Sequence, residues 1–169
     1  GWRRYALASL YGALAMLAFV PVGAAPLLWM CFPALVFLLQ GTANSKQAFF
    51  TGWCFAFGLL VPNLYWIAGA LFIDIGYFWW VLPLAVAGLP AILAIYYGLA
   101  AAIARRWFDL EKLSGLLAFA LLWFGADFAR SHLLTGFSWD IAGHVWADYP
   151  AVIQIISVIG IYGLSLITI

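Results

Sequence analysis

The sequence predicts an all-α integral membrane protein, a bundle of six transmembrane helices. Three observations carry that prediction. Of 169 residues, 68% are hydrophobic and 8% charged. Soluble domains run at about half apolar and a quarter charged, and a chain this short has too little interior to hide the excess. The apolar residues also fall into six segments parted by Pro, Gly or polar loops. Finally, if each segment crosses once, Arg3, Arg4, Lys46, Arg105, Arg106 and Lys112 share one face, while Asp74, Asp140 and Asp148 lie on the other. Dropping one crossing scatters the basic residues over both faces. The preference of Lys and Arg for the cytoplasmic side then puts the amino terminus in the cytoplasm and the loop 131–150 outside.

Residues 5–20 form the first segment, stopped by Pro21 and Gly23, and residues 26–40 the second, bent at Pro33. Each holds about 15 residues, or about 23 Å of helix against a hydrocarbon core of about 30 Å. Either they thin the bilayer, with Trp2, Tyr5 and Trp29 as interface anchors, or they form a hairpin that only just spans. The third segment is 48–72, interrupted at Pro62, with a turn at Asp74 and Gly76. The fourth is 77–104, bent at Pro83 and Pro90. Its small residues Ala94, Gly98 and Ala102 recur every fourth position, a pattern that lets another helix approach closely. A charged loop, 105–112, leads to the fifth segment, 113–130, and the loop 131–150 to the sixth, 151–169. Arg3-Arg4, an apolar run and Val22-Gly23-Ala24-Ala25 have the layout of a signal peptide, but equally apolar sequence follows at once. Gly1 and the apolar end at Ile169 read as a piece of a longer protein.

Several chemistries find little support. A net charge of +1 gives no reason to expect nucleic acid. His132, Asp140, His144 and Asp148 lack the His-Glu-x-x-His spacing of a zinc peptidase, so no metal is expected. Cys31 and Cys54 sit in apolar runs at opposite depths, without the basic neighbour that activates a thiol and without the proximity a disulfide needs. Gly136-Phe137-Ser138 and Gly163-Leu164-Ser165 contain the Gly-x-Ser of serine proteases, at a frequency close to chance.

The polar residues within the segments crowd toward the outer leaflet. Asn63, Tyr65 and Trp66 fall in the outer half of the third segment, Asp127 and Arg130 near the outer end of the fifth, and Gln154 one turn into the sixth. Polar groups at depth are costly and mark functional sites. Asp127 and Arg130, three residues apart, can pair on one helix face. One reading is a self-neutralising pair with Arg130 snorkelling to the headgroups. The other is that Arg130 holds a phosphate or carboxylate, or positions the loop that follows. A transporter or channel fragment predicts polar residues through the full depth and broken helices in paired positions. A non-enzymatic membrane scaffold is a further reading.

Leu133-Leu134-Thr135-Gly136-Phe137-Ser138-Trp139, preceded by Asp127-x-x-Arg130, resembles the membrane part of bacterial apolipoprotein N-acyltransferases, whose pattern is Glu-x-x-Arg-Gly followed by Leu-Thr-Gly-Phe-Pro-Trp. Gly52-Trp53-x-Phe55-x-Phe57-Gly58 with Tyr65-Trp66-Ile67, Gly88-Leu89-Pro90-Ala91, and Gly160-Ile161-Tyr162-Gly163-Leu164-Ser165 resemble three further family stretches in the same order. Asp127 stands where the family has Glu, Ser131 where it has Gly, and Ser138 where it has Pro. The resemblance implies an enzyme of the bacterial inner membrane with no cofactor. It takes an acyl chain from a phospholipid donor, holds it as a thioester, and passes it to the amino-terminal amine of a diacylglyceryl apolipoprotein. The implied Glu-Lys-Cys triad belongs to a periplasmic nitrilase-like domain that follows a seventh helix. Neither is contained in these residues, so the 169 residues alone are expected to be catalytically silent. Asn63, Tyr65, Trp66, Asp127, Arg130, Gly136, Phe137 and Trp139 are the residues expected to face lipid or substrate.

Overall fold

The computed structural model describes residues 1–72, 75–133 and 136–169, so the turn expected at Asp74 and the Leu134-Thr135 step lie outside the described residues. Among the described residues the chain is helix and turn, without strands. Helix α1, Trp2–Met16, leads through a 3-10 turn at Ala25–Leu27 into α2, Leu28–Gln40. Then come α3, Ser45–Leu64, and the short α4, Ile67–Leu71, and α5, Ile75–Phe78. One turn of π-helix, Leu84–Gly88, runs into α6, Leu89–Trp107, and α7 is Leu113–His132. A 3-10 helix, Ala142–Trp146, precedes α8, Pro150–Ile153, and α9, Ile156–Thr168. Among the described residues, three stretches are long and apolar enough to cross a membrane: Ser45–Leu64, Leu84–Trp107 and Leu113–His132.

The helices depart from the sequence segments where backbone chemistry intervenes. Asn44 caps α3, its Oδ1 accepting the Gln47 N–H at 2.9 Å, so the helix starts three residues before the expected 48. It stops at Leu64, two residues past Pro62, which has no N–H to give the helix. Residues expected as one helix over 77–104 divide into α5, the π turn and α6, with Pro83 and Pro90 flanking the π turn. The expected 151–169 helix breaks at Gln154–Ile155 and again at Gly160, whose φ of +70° and ψ of 171° suit glycine alone.

Aromatic rings fill the centre. Trp123 of α7 meets Phe32 of α2, Phe55 of α3 and Tyr97 of α6 at centroid separations of 5.1, 5.7 and 4.6 Å. Around this hub the helices approach closely at small residues. α1 and α3 run side by side in the same direction, and a Cβ on Gly12 would overlap the Phe55 carbonyl, as one on Gly58 would overlap the Ser9 carbonyl. Gly52 of α3 faces the Tyr97 backbone and Ala101 of α6. The close face of α6 is therefore Ala94, Gly98 and Ala101. Ala102, expected in that stripe, is only half-buried, because a 3.6-residue turn drifts off a strict four-residue repeat.

Hydrogen bonds tie the two ends of the bundle separately. At one end Arg4 Nη1 donates to Gln47 Oε1 at 3.0 Å, Gln40 Nε2 to the Leu110 carbonyl at 2.8 Å, and Arg105 Nε to the Thr42 carbonyl at 3.1 Å. At the other, the Tyr149 hydroxyl donates to the Gly23 carbonyl at 3.0 Å, and Trp29 packs on Trp146 with centroids 5.8 Å apart.

Candidate functional site

The sequence holds one Asp and one Arg three residues apart near the end of α7. That spacing turns both toward the same neighbour, and the neighbour is α6. Asp127 and Arg130 are each 1% exposed. Arg130 Nη2 lies 3.4 Å from Asp127 Oδ1, and the Tyr97 hydroxyl donates to the same oxygen. The Arg130 guanidinium also lies over the Tyr97 ring, 5.8 Å from its centroid. Its Nη1 donates to the Trp139 carbonyl at 2.6 Å. Two charges removed from water recover little net stability from each other, but they fix geometry when their remaining atoms are bonded.

That geometry is a clamp on the following loop. Ser131 Oγ bonds back to the Asp127 carbonyl at 2.7 Å, and the Phe137 N–H donates to the Arg130 carbonyl at 2.9 Å. Gly136 makes the reversal at φ +69°, where a Cβ would lie 2.8 Å from the Ser131 carbonyl oxygen. Beyond Trp139 the chain is not simply the polar loop that the composition of 131–150 suggests. Ile141, Ala142, Gly143 and Val145 are buried, since they form the apolar side of the 3-10 helix that docks on α9. The Gly143 N–H donates to Ser165 Oγ at 2.8 Å, and Trp146 Nε1 to Thr168 Oγ1 at 2.8 Å. Ser165 is fully buried, and its hydroxyl also bonds the Ile161 carbonyl.

The expected site residues thus divide in two. Asp127 and Arg130 sit inside the bundle rather than facing lipid, and Arg130 does not snorkel, because its guanidinium is engaged by Asp127 and the loop. Tyr65, Trp66 and Trp139 are exposed, and Trp66 and Trp139 meet with centroids 5.3 Å apart. Gly136 is exposed, Phe137 is half-buried against the core, and Asn63 is half-buried with its Nδ2 lacking a partner among the described residues. Tyr97 was missed by sequence reasoning. Its signal was its place three residues after Ala94 and four before Ala101, on the face of α6 that the small residues mark as packed. His132 stacks on Phe128 with centroids 4.1 Å apart. Among the described residues, His, Cys, Asp and Glu nowhere gather in threes.

Asp140 shares a small cavity with Asp127, Tyr97 and Trp123, and its Oδ2 has no partner among the described residues. Burial pushes its pKa up to about 6, against the opposing pull of Arg130. Burial, with Arg130 adding to it, pushes His144 down, so its imidazole is neutral at pH 7. A carboxyl raised from 3.8 to about 6 on folding favours the folded state fully below about pH 4. That contribution is lost as pH rises through about 6, up to about 3 kcal/mol in all. Asp140→Asn should therefore flatten the fall in unfolding temperature between pH 4 and pH 7 and raise it at pH 7. An unchanged pH profile in the variant would assign the slope elsewhere.

A tightly packed, apolar all-helical domain with its buried charges gathered at one end is a domain of membrane type. Residues 11–169 match the family described as the apolipoprotein N-acyltransferase N-terminal domain. The chain is 42% identical to the apolipoprotein N-acyltransferase of Rhodopseudomonas palustris over all of its length and 32% of that protein. It is 39% identical to that of Allorhizobium ampelinum, over 98% of the chain and 33% of the protein. With that of Brucella melitensis it shares 40% identity, over 98% of the chain and 32% of the protein. The chain belongs to the apolipoprotein N-acyltransferase family and corresponds to its N-terminal domain. It spans about a third of the length of the relatives it matches.

Proposed function

We propose that this chain is the membrane domain of an enzyme that moves a fatty acyl chain from a phospholipid to the N-terminal cysteine amine of diacylglyceryl apolipoproteins. In this reading it lies in the bacterial inner membrane and crosses it six times, with the amino terminus cytoplasmic and residues 131–150 periplasmic. Chemistry belongs to a nitrilase-like domain beyond these residues, so the 169 residues alone are inactive. Their task is to admit lipid from the outer leaflet and present it upward.

The observation that carries this reading is the hydrogen bond from buried Arg130 to the Trp139 carbonyl, next to the contact of Trp139 with Trp66. A fixed charge holds the backbone, and two exposed indoles are held with it at the end of α3 and α7. Indoles suit the headgroup level, where one side of the ring is apolar and the N–H is wet. Tyr65 extends the same surface. We place the acyl-chain doorway along Tyr65, Trp66 and Trp139, with Asp127, Arg130, Gly136 and Phe137 as its rigid support and Asn63 beneath it.

Trp139→Ala in the full-length enzyme should raise the apparent KM for phospholipid about tenfold, the equivalent of roughly 1.4 kcal/mol, while leaving the unfolding temperature nearly unchanged. Acyl transfer to an apolipoprotein peptide, measured against phospholipid concentration, reads this out. Normal KM in both Trp139→Ala and Trp66→Ala would remove the doorway from this surface.

A further inference from the structure

The end of the bundle opposite the Arg130 clamp carries a second feature, built from different residues. Two cavities adjoin there. One, of about 340 Å³, is lined by Ala43, Asn44, Ser45, Arg105 and Arg106. The other, of about 310 Å³, is lined by Leu99, Ala102, Ile103 and Trp107 together with the same Ser45 and Arg106. The first is a polar basin at the tip of the α2–α3 turn. The second is an apolar groove running down the outside of α6. Each falls within the roughly 300–1,000 Å³ typical of ligand clefts.

The arginines are arranged for an anion. Arg105 is held by Nε and Nη2, both donating to the Thr42 carbonyl at 3.1 and 3.0 Å. Thr42 is itself buried and bonded to the Leu39 carbonyl at 2.6 Å. The guanidinium of Arg105 is therefore positioned before any ligand arrives. Arg106 is exposed, and among the described residues neither arginine is ion-paired. No acid lines either cavity; Asp109, outside both, is paired with Lys112 at 3.0 Å and attracted more weakly by Arg105. Guanidinium forks match phosphate oxygens, and basic pockets between helices at a membrane face collect anionic headgroups. Trp107, 70% exposed, stands beside the groove as an interface residue does.

We propose that this pair of cavities binds one anionic phospholipid, its phosphate in the basin against Arg105 and Arg106 and one acyl chain in the groove along Leu99, Ala102 and Ile103. The polar and apolar halves are joined by shared residues in the order a phospholipid requires, with the charge at the end of α6 and the chain along it. The site rests on the membrane reading but not on acyl transfer. It lies at the far end of the bundle from the Trp66–Trp139 surface, so its lipid is a bound structural partner and not the acyl donor.

The test uses the full-length protein in nanodiscs of phosphatidylcholine and phosphatidylglycerol, mixed alike in both leaflets so that orientation does not matter. Lipid retained on release is counted by native mass spectrometry. Wild type should retain phosphatidylglycerol in preference to phosphatidylcholine. Arg106→Gln should cut that preference about fivefold. Arg106→Lys should keep most of it, and Arg3→Gln, at the same end but outside the basin, should leave it intact. Millimolar inorganic phosphate should displace nothing. An absent preference in wild type overturns the proposal. So does an equal loss in Arg106→Gln and Arg3→Gln, which means a diffuse field, or displacement by phosphate, which means a free-anion pocket. Acyl transfer is measured on the same samples. Its absence from wild type would fault the proposed function and leave the lipid comparison standing.

Discussion

Asp127→Ala should destabilise the protein by about 3–5 kcal/mol, because it leaves the Arg130 guanidinium buried without its counter-charge. Both side chains are closed off from solvent, so water cannot replace the lost carboxylate without opening the bundle. The Tyr97 hydroxyl loses its acceptor in the same step. Arg130→Ala should cost a similar amount, and it also frees the Trp139 carbonyl, so residues 136–149 should become open to proteolysis. The double variant Asp127→Leu, Arg130→Met removes both charges and should recover part of the loss. It cannot recover all of it, since Tyr97 and the Trp139 carbonyl stay unpartnered. Unfolding temperature in detergent, with proteolysis of the loop as a second readout, measures the cycle. A single Asp127→Ala variant within about 1 kcal/mol of wild type would mean that the pair is a passenger and not a clamp.

The sequence made the clamp half visible. Scarce charge in an apolar chain drew attention to Asp127 and Arg130, and their spacing put them on one face. What it could not supply was which way that face points, because α7 is apolar on all sides and no amphipathic stripe orients it. Sequence left two readings open for Arg130, a side chain snorkelling outward or one that positions the loop that follows, and its hydrogen bond to the Trp139 carbonyl fits the second. The partner that holds it inward is a backbone carbonyl nine residues on, which no side-chain pattern reveals. Residues 131–150 misled in the same way. Counted by composition they form a polar loop, yet Ile141, Ala142 and Val145 place a small apolar face at 3-10 spacing that buries against α9. The breaks divide similarly. Pro62, Pro83 and Pro90 announce themselves, while Gly160 looks like any other membrane glycine until its φ of +70° is known.

Gly58→Leu should be strongly damaging, although it lies away from the charged pair. In lipid, helices gain nothing by hiding apolar surface from one another, so α1 and α3 associate through close packing. Gly12 sits against the Phe55 carbonyl and Gly58 against the Ser9 carbonyl, one helical turn apart on both helices. At these points backbone meets backbone, and no flexible side-chain end can move aside. Even Gly58→Ala should cost about 1–3 kcal/mol, as overpacking does, and Gly58→Leu should cost more by forcing the helices apart. Separation would also pull Arg4 from Gln47, so the loss should not stay local. Gly125→Ala provides the contrast. It lies on the exposed face of α7 with nothing within 4 Å of the new Cβ, and should be neutral or stabilising by up to about 1 kcal/mol. Unfolding temperatures of the three variants decide the matter. If Gly58→Ala and Gly125→Ala shift stability alike, the α1–α3 crossing tolerates a methyl group and is not held by backbone contact.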